Sequence, residues 1–225
     1  MTVCSHHLIR LSRCLRLAAP WLGLWVAFCA AGFAHGDLHE RIAELTKAVE
    51  ASPADPQPRL DLATVCFQHG DWQATLTQLD ELARIAPGRF ATGLLRGQAL
   101  AAGGQMAAAK AELDSFLAQY PDHPTALVAR ARAQAELGAD EACLADYRRA
   151  IEKTEHPEPD LFWETAEALG RRNRKGEAIE VLRAGLAKLG DLPAFQSAVL
   201  QLEIAEGHFD DALARIDAVR RTAPR

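Results

Sequence analysis

Three groups of residues have the types and spacing that chemistry requires. The first is His35 and His39, in the stretch Ala34-His35-Gly36-Asp37-Leu38-His39-Glu40. A chain cleaved before His35 would carry a free amine beside that imidazole, a pair able to chelate copper or zinc. His39 adds a ligand where residues 35–38 are helical or folded back, although two histidines without a third ligand hold a metal loosely. His39-Glu40 is followed by Arg41-Ile42-Ala43, so the zinc-protease pattern lacks its second histidine. The second group is Asp160, Glu164 and Glu167 at helical spacing. Paired carboxylates can do general acid–base work; the same spacing also describes the solvated face of an acidic helix. The third group is the cysteines. No phosphate-binding loop, Gly-x-Ser-x-Gly or Cys-x-x-Cys occurs. With no nucleophile paired to a base, the expectation is a non-catalytic protein that needs no cofactor.

The elements that must position these residues are helices. Alanine and leucine dominate the 225 residues and aromatics make up only 6%, a composition that favours an all-helical chain. The segment from Met1 to Ala34 carries Arg10, Arg13 and Arg16 and no acid. Taking those three from the 25 basic residues leaves 22 against 30 acids, a net charge of −8 on the remainder. So acidic a body excludes sequence-independent nucleic-acid binding, which needs cations against phosphates.

Met1 to Ala34 reads as an export signal. A basic head is followed by an uncharged run, Leu17 to Ala34, ending in the small-x-small triplet Gly32-Phe33-Ala34. An uncleaved anchor facing the periplasm is the alternative, since a run of this length approaches a membrane span. A lipid-modified Cys29 fits less well, because bulky Phe28 precedes it. The expected location is the periplasm or the exterior, with membrane contact only through this segment.

Behind the leader runs a period. Gly70, Gly104 and Gly138 recur at one fixed interval, and Pro87 and Pro121 are separated by the same interval. From Gly138 to Gly207 is two such intervals plus one position. The extra position falls in the proline-rich stretch 154–160, and Asn173 takes the missing glycine's place as another residue that tolerates a left-handed backbone. Small residues recur at Ala63, Gly97, Ala131 and Ala166, where Leu200 breaks the pattern, and at Thr75, Ala109, Cys143, Ala178 and Ala212. One helical turn after the second set come Leu79, Leu113, Tyr147, Leu182 and Ile216. Small residues let helices approach, and large ones fill the groove beside them.

This pattern resembles the tetratricopeptide repeat over residues 36–225. The resemblance implies an all-α, right-handed superhelical array of helix-turn-helix units: a single helix in 35–55, then five units at 56–89, 90–123, 124–158, 159–192 and 193–225. His35-Gly36-Asp37 lies one full interval before His69-Gly70-Asp71, so the opening stretch is a half-unit entering helix B. Arg96 and Arg130 stand where the family usually has leucine, while Glu155 and Gly190 replace its closing proline. In this register Cys66 and Cys143 lie roughly 30 Å or more apart, beyond the roughly 7 Å that a disulfide spans, so they are expected as separate small core residues.

The resemblance also implies a concave groove lined by one face of each helix A. The groove positions hold Phe67, Gln68, Gln98, Arg132, Glu136, Trp163, Glu167, Arg171 and Gln201. Aromatic rings among arginine and glutamine suit a protein or peptide ligand, with Arg132 and Arg171 favouring an acidic or carboxylate-bearing one. Alternatively, Trp163 simply packs against the 154–160 loop. The family's carboxylate clamp of Lys and Asn has no counterpart at Leu60, Thr64 and Ala91. At the far end Leu213, Ile216 and Val219 lack a capping helix and form a candidate patch for weak self-association, unless Arg215, Arg220 and Arg221 cover it. The function implied is a binding scaffold or adaptor, with metal handling at His35 and His39 as the alternative.

Overall fold

A computed structural model describes residues 37–222. Every regular element among these residues is an α-helix. Helix α1 covers 37–51. Then follow α2 (Pro56–Gln68), α3 (Trp72–Ile85), α4 (Gly93–Ala102), α5 (Met106–Gln119), α6 (Pro124–Glu136) and α7 (Asp140–Lys153). Helices α8 (Pro159–Arg171), α9 (Lys175–Leu189), α10 (Pro193–Ala205) and α11 (Phe209–Thr222) complete the chain. No helix among the described residues is long and apolar enough to cross a membrane. The leader, His35 and Pro224 lie outside the described residues.

The sequence states where helices start. Pro56, Pro124, Pro159 and Pro193 each open a helix, where the missing N–H costs nothing and φ is already helical. Asp55 and Asp71 cap their helices by accepting from the N–H groups of Gln57 and Ala74 at 3.1 and 2.9 Å. The unit read as starting at Phe90 differs: α4 begins only at Gly93, behind Thr92 whose side chain makes no capping bond. With neither a proline nor a cap at that place, nothing nucleates the first turn.

The turns inside the five helix pairs α2/α3, α4/α5, α6/α7, α8/α9 and α10/α11 share one hydrogen bond. The residue after the turn donates its N–H to the carbonyl five positions back: Asp71 to Cys66, Gln105 to Leu100, Ala139 to Gln134, Arg174 to Leu169 and His208 to Glu203, all within 2.8–3.0 Å. This closure needs a left-handed residue before the donor. Gly70, Gly104, Gly138 and Gly207 supply it, and Asn173 does so at φ 57°.

The described residues divide into two compact units, one ending at Pro87 and one beginning at Gly88. In the first, α2 and α3 form a hairpin, and Leu45 of α1 packs with Leu62 and Cys66 of α2. In the second, α4 to α11 pack consecutively, each helix on the next, with α4 also touching α6. A continuous core runs through it from Leu113 and Leu127 to Phe162, Leu182 and Val199. The repeat's small positions are buried as the spacing requires: Ala63, Ala109, Ala131 and Cys143 are fully covered, and Leu79, Leu113, Tyr147 and Leu182 fill the space beside them. The register weakens in the last hairpin, where Ile216 is 39% exposed. Both cysteines are free and buried.

The arginine at a leucine position has its own solution. Arg130 donates from Nε and Nη2 to Asp146 of α7 at 2.7 Å and from Nη1 to Asp114 of α5 at 2.8 Å. One guanidinium therefore ties three consecutive helices together. In the last hairpins the fully buried Glu203 plays the reciprocal part, accepting from Arg183 of α9 and Arg215 of α11.

Candidate functional site

A concavity of the second unit opens where α6 and α8 present corresponding faces. Arg132 and Glu136 stand one turn apart on α6; Glu164, Glu167 and Arg171 follow one another along α8. Tyr147 reaches the same space from α7, and Ala101, Met106, Ala133 and Ala135 form an apolar floor. Together they enclose an open cleft of about 570 Å³. Four groove candidates, Arg132, Glu136, Glu167 and Arg171, are brought into this one cleft.

The electrostatics differ from the sequence reading. Arg132 is not a waiting cation: its Nε and Nη2 donate to the two oxygens of Glu164 at 2.9 and 2.7 Å, a bidentate pair. Glu164 is correspondingly not part of a solvated acidic face. It also accepts from the Tyr147 hydroxyl at 2.7 Å. Burial works to raise the Glu164 carboxyl, but the bonds from Arg132 and Tyr147 prevail and hold it below the usual carboxylate range. Tyr147 itself is pushed far upward by burial and by the carboxylate it faces, so it stays a neutral donor. Arg171, by contrast, has no hydrogen-bond or ion-pair partner among the described residues, and neither does Glu136. The charges of the cleft without an ion-pair partner among the described residues are thus Arg171, Glu136 and Glu167, beside the Arg132–Glu164–Tyr147 triad.

Trp163 stands beside the cleft rather than in it. Its indole N–H donates to Glu167 at 3.0 Å, and its ring lies 5.9 Å from that of Phe195 of α10. It fixes the Glu167 carboxylate at the rim while remaining 37% exposed. Gln98, half-buried on α4, and Gln201, exposed on α10, do not line the cleft. Phe67, half-buried, and Gln68, exposed, belong to the first unit at the end of α2.

Sequence reasoning treats Tyr147 as a packing residue only. The available signal is its type: the equivalent places hold Leu79, Leu113, Leu182 and Ile216, and a buried tyrosine needs a partner for its hydroxyl.

On α11 the candidate patch is open. Leu213, Ile216 and Val219 are 62%, 39% and 48% exposed. Ile216 and Val219 border a groove of about 300 Å³ together with Leu200 and Gln196. Arg215 and Arg220 line the same groove, Arg215 with its guanidinium donating to Glu203 and Gln196. Among the described residues no group of three or more His, Cys, Asp or Glu side chains has a metal-holding arrangement. Of the expected terminal chelate only His39 is described, in the first turn of α1. His123 is a cap, its Nδ1 accepting from the Ala126 N–H at 3.3 Å.

Comparison with known proteins bears on the fold. A tetratricopeptide-repeat family model matches residues 94–155, the stretch that contributes Arg132, Glu136 and Tyr147. No curated protein sequence matches the chain. Among solved structures, the chain is similar to MamA (41-end) from Desulfovibrio magneticus RS-1, with a TM-score of 0.63 and 18% identity over 76% of this chain and 97% of that one. PilW, a widely conserved type IV pilus biogenesis factor, gives 0.66 and 16% identity over 87% and 90%. YrrB, a TPR protein with an unusual peptide-binding site, gives 0.61 and 16% over 77% and 89%. At these identities the likeness is one of fold. Left-handed turns with a shared closure and helix pairs packed through small residues agree with these likenesses: the described residues fold into helix-turn-helix units, and residues 94–155 are similar to the tetratricopeptide repeat.

Proposed function

We propose that the cleft bordered by α6 and α8 holds an extended peptide segment of a partner protein, and that the chain acts as a non-catalytic scaffold. The observation that carries this reading is Arg171, an unpaired guanidinium in an open cleft whose other arginine is already neutralised by Glu164. Arg171 would take a carboxylate or backbone carbonyls of the ligand, and Glu136 its amide or basic groups. The floor of Ala101, Ala133, Ala135 and Met106 leaves room for small apolar side chains. YrrB's described peptide-binding site supports a peptide ligand by analogy of fold.

The expectation of an acidic ligand is narrowed accordingly: one carboxylate facing Arg171, rather than an acidic stretch facing two free arginines. Affinity capture from native cells with the parent protein and Arg171→Glu tests it. A partner recovered only by the parent, with circular dichroism unchanged, is the expected result; identical recoveries would remove the cleft from the account. The export signal read in the sequence supports a partner in the cell envelope, and mass spectrometry of the mature amino terminus checks that placement.

A further inference from the structure

The first unit places two histidines from different helices directly against each other. His39 stands in the first turn of α1, and His69 is the residue that ends α2, its backbone N–H held by the carbonyls of Val65 and Phe67. Their Nε2 atoms are 3.2 Å apart, and the rings meet edge to face at 82° with centroids 4.4 Å apart. The arrangement is supported from beneath: Leu45 anchors α1 on Leu62 and Cys66, in the turns of α2 that lead up to His69. His39 is exposed and His69 half-buried.

In one arrangement of protons, one Nε2 donates to the other. With both protons on Nδ1, two imidazole lone pairs face the same small space, and neutral imidazole is the commonest protein ligand for metal ions. Bonds of about 2.0–2.1 Å at a tetrahedral angle set neighbouring ligand nitrogens about 3.3–3.4 Å apart. The right angle of a tetragonal copper(II) site sets them about 2.9 Å apart. The observed separation lies between these two, a spacing at which both nitrogens fit on one ion.

We propose that His39 and His69 form a surface site for a single divalent transition-metal ion of borderline softness, with water completing the coordination. Copper(II) is the tightest-bound member of that class on nitrogen ligands. The site differs from a terminal chelate: it joins α1 to α2 and needs neither His35 nor a free amine. It is also independent of the cleft on the second unit.

The test uses the full chain titrated with Cu²⁺ alone, followed by calorimetry and by electron paramagnetic resonance. One equivalent is expected, with a signal showing two imidazole nitrogens, and it is lost in both His39→Ala and His69→Ala. The ion should also raise the urea midpoint of the parent and of neither variant. Binding untouched by these two substitutions, or lost only in His35→Ala, would overturn the site. Should His69→Ala fail to fold, protection of the parent from histidine-specific acylation gives the answer: Cu²⁺ is expected to shield both histidines, and reaction at an unchanged rate would contradict the proposal.

Discussion

Replacing Arg130 with leucine would bring helix α6 closer to the residue usual in the tetratricopeptide repeat it resembles, yet the structure says it should destabilise. Arg130 is 20% exposed, and the Asp146 side chain it grips with two bonds is only 8% exposed. Removing one partner of a buried pair costs about 3–5 kcal/mol. Here the lower end applies, about 3 kcal/mol, because the Asp114 arm of the bridge is 40% exposed. A leucine in this partly open place returns about 1 kcal/mol, less than the about 1.5–3 kcal/mol of complete burial. The net expectation is a loss of about 2 kcal/mol. The double variant Arg130→Leu/Asp146→Leu removes the stranded carboxylate and should return to within about 1 kcal/mol of the parent, since an apolar replacement of a whole buried pair is often neutral. Urea denaturation followed by circular dichroism reads both, and the cycle gives the coupling. An Arg130→Leu variant as stable as the parent would refute the reasoning.

Other consequences follow from single contacts. Glu164 and Glu203 are held below the ordinary carboxylate range, Glu164 against its burial by Arg132 and Tyr147, Glu203 by Arg215 and Arg183. Their contribution is therefore complete above the unfolded value of about 4.3 and is lost as the pH falls through their folded values. The urea midpoint should stay level from about pH 8 to 6 and drop below about pH 4, less steeply in Glu203→Gln; a midpoint flat to the acid limit would contradict this. A Cβ on Gly185 would lie 2.6 Å from Phe195 Cε2 and 3.1 Å from Phe162 Cγ. Gly185→Ala should thus lose about 1 kcal/mol, overpacking outweighing the helix gain. Gly170→Ala, where the added Cβ meets nothing within 4 Å, should gain up to about 1 kcal/mol. Thermal unfolding of the two alanine variants beside the parent reads both signs, and a Gly185→Ala variant more stable than the parent would contradict the close packing. Burial pushes the Cys143 thiol up to about 11 and also raises Cys66. Both should resist alkylation at neutral pH until urea unfolds the chain, and rapid native labelling would contradict their burial.

The parts of the molecule legible in the sequence are those repeated at a fixed interval. Turn glycines, prolines at helix starts and the alternation of small and large residues each obey one local rule, so a strict period states them several times over. Asn173 reads the same way, because few residues accept its backbone. The pairs that define the cleft obey no such rule. Arg132 meets Glu164 from a neighbouring unit, and Tyr147 meets it from the helix between them. Register gives the face of a helix, but the partner depends on side-chain rotamers across a packed interface. Arg130 is the intermediate case, with Asp114 and Asp146 placed symmetrically before and after it in the chain. That symmetry is visible in the sequence, but only a repeat stack gives it meaning. His39 and His69 meet because α1 folds back on α2, which spacing along the chain does not reveal.

The central claim is that the face of α6 and α8, and not the outer helices, receives a partner. It is tested most directly by placing a photo-crosslinking residue at Glu136, in the cleft, and separately at Ser115, exposed on α5. Irradiation in native cells should give a discrete protein adduct from position 136 that disappears in the Arg171→Glu background, and none from position 115. Equal adducts from both positions, or an adduct at 136 indifferent to Arg171, would contradict the account.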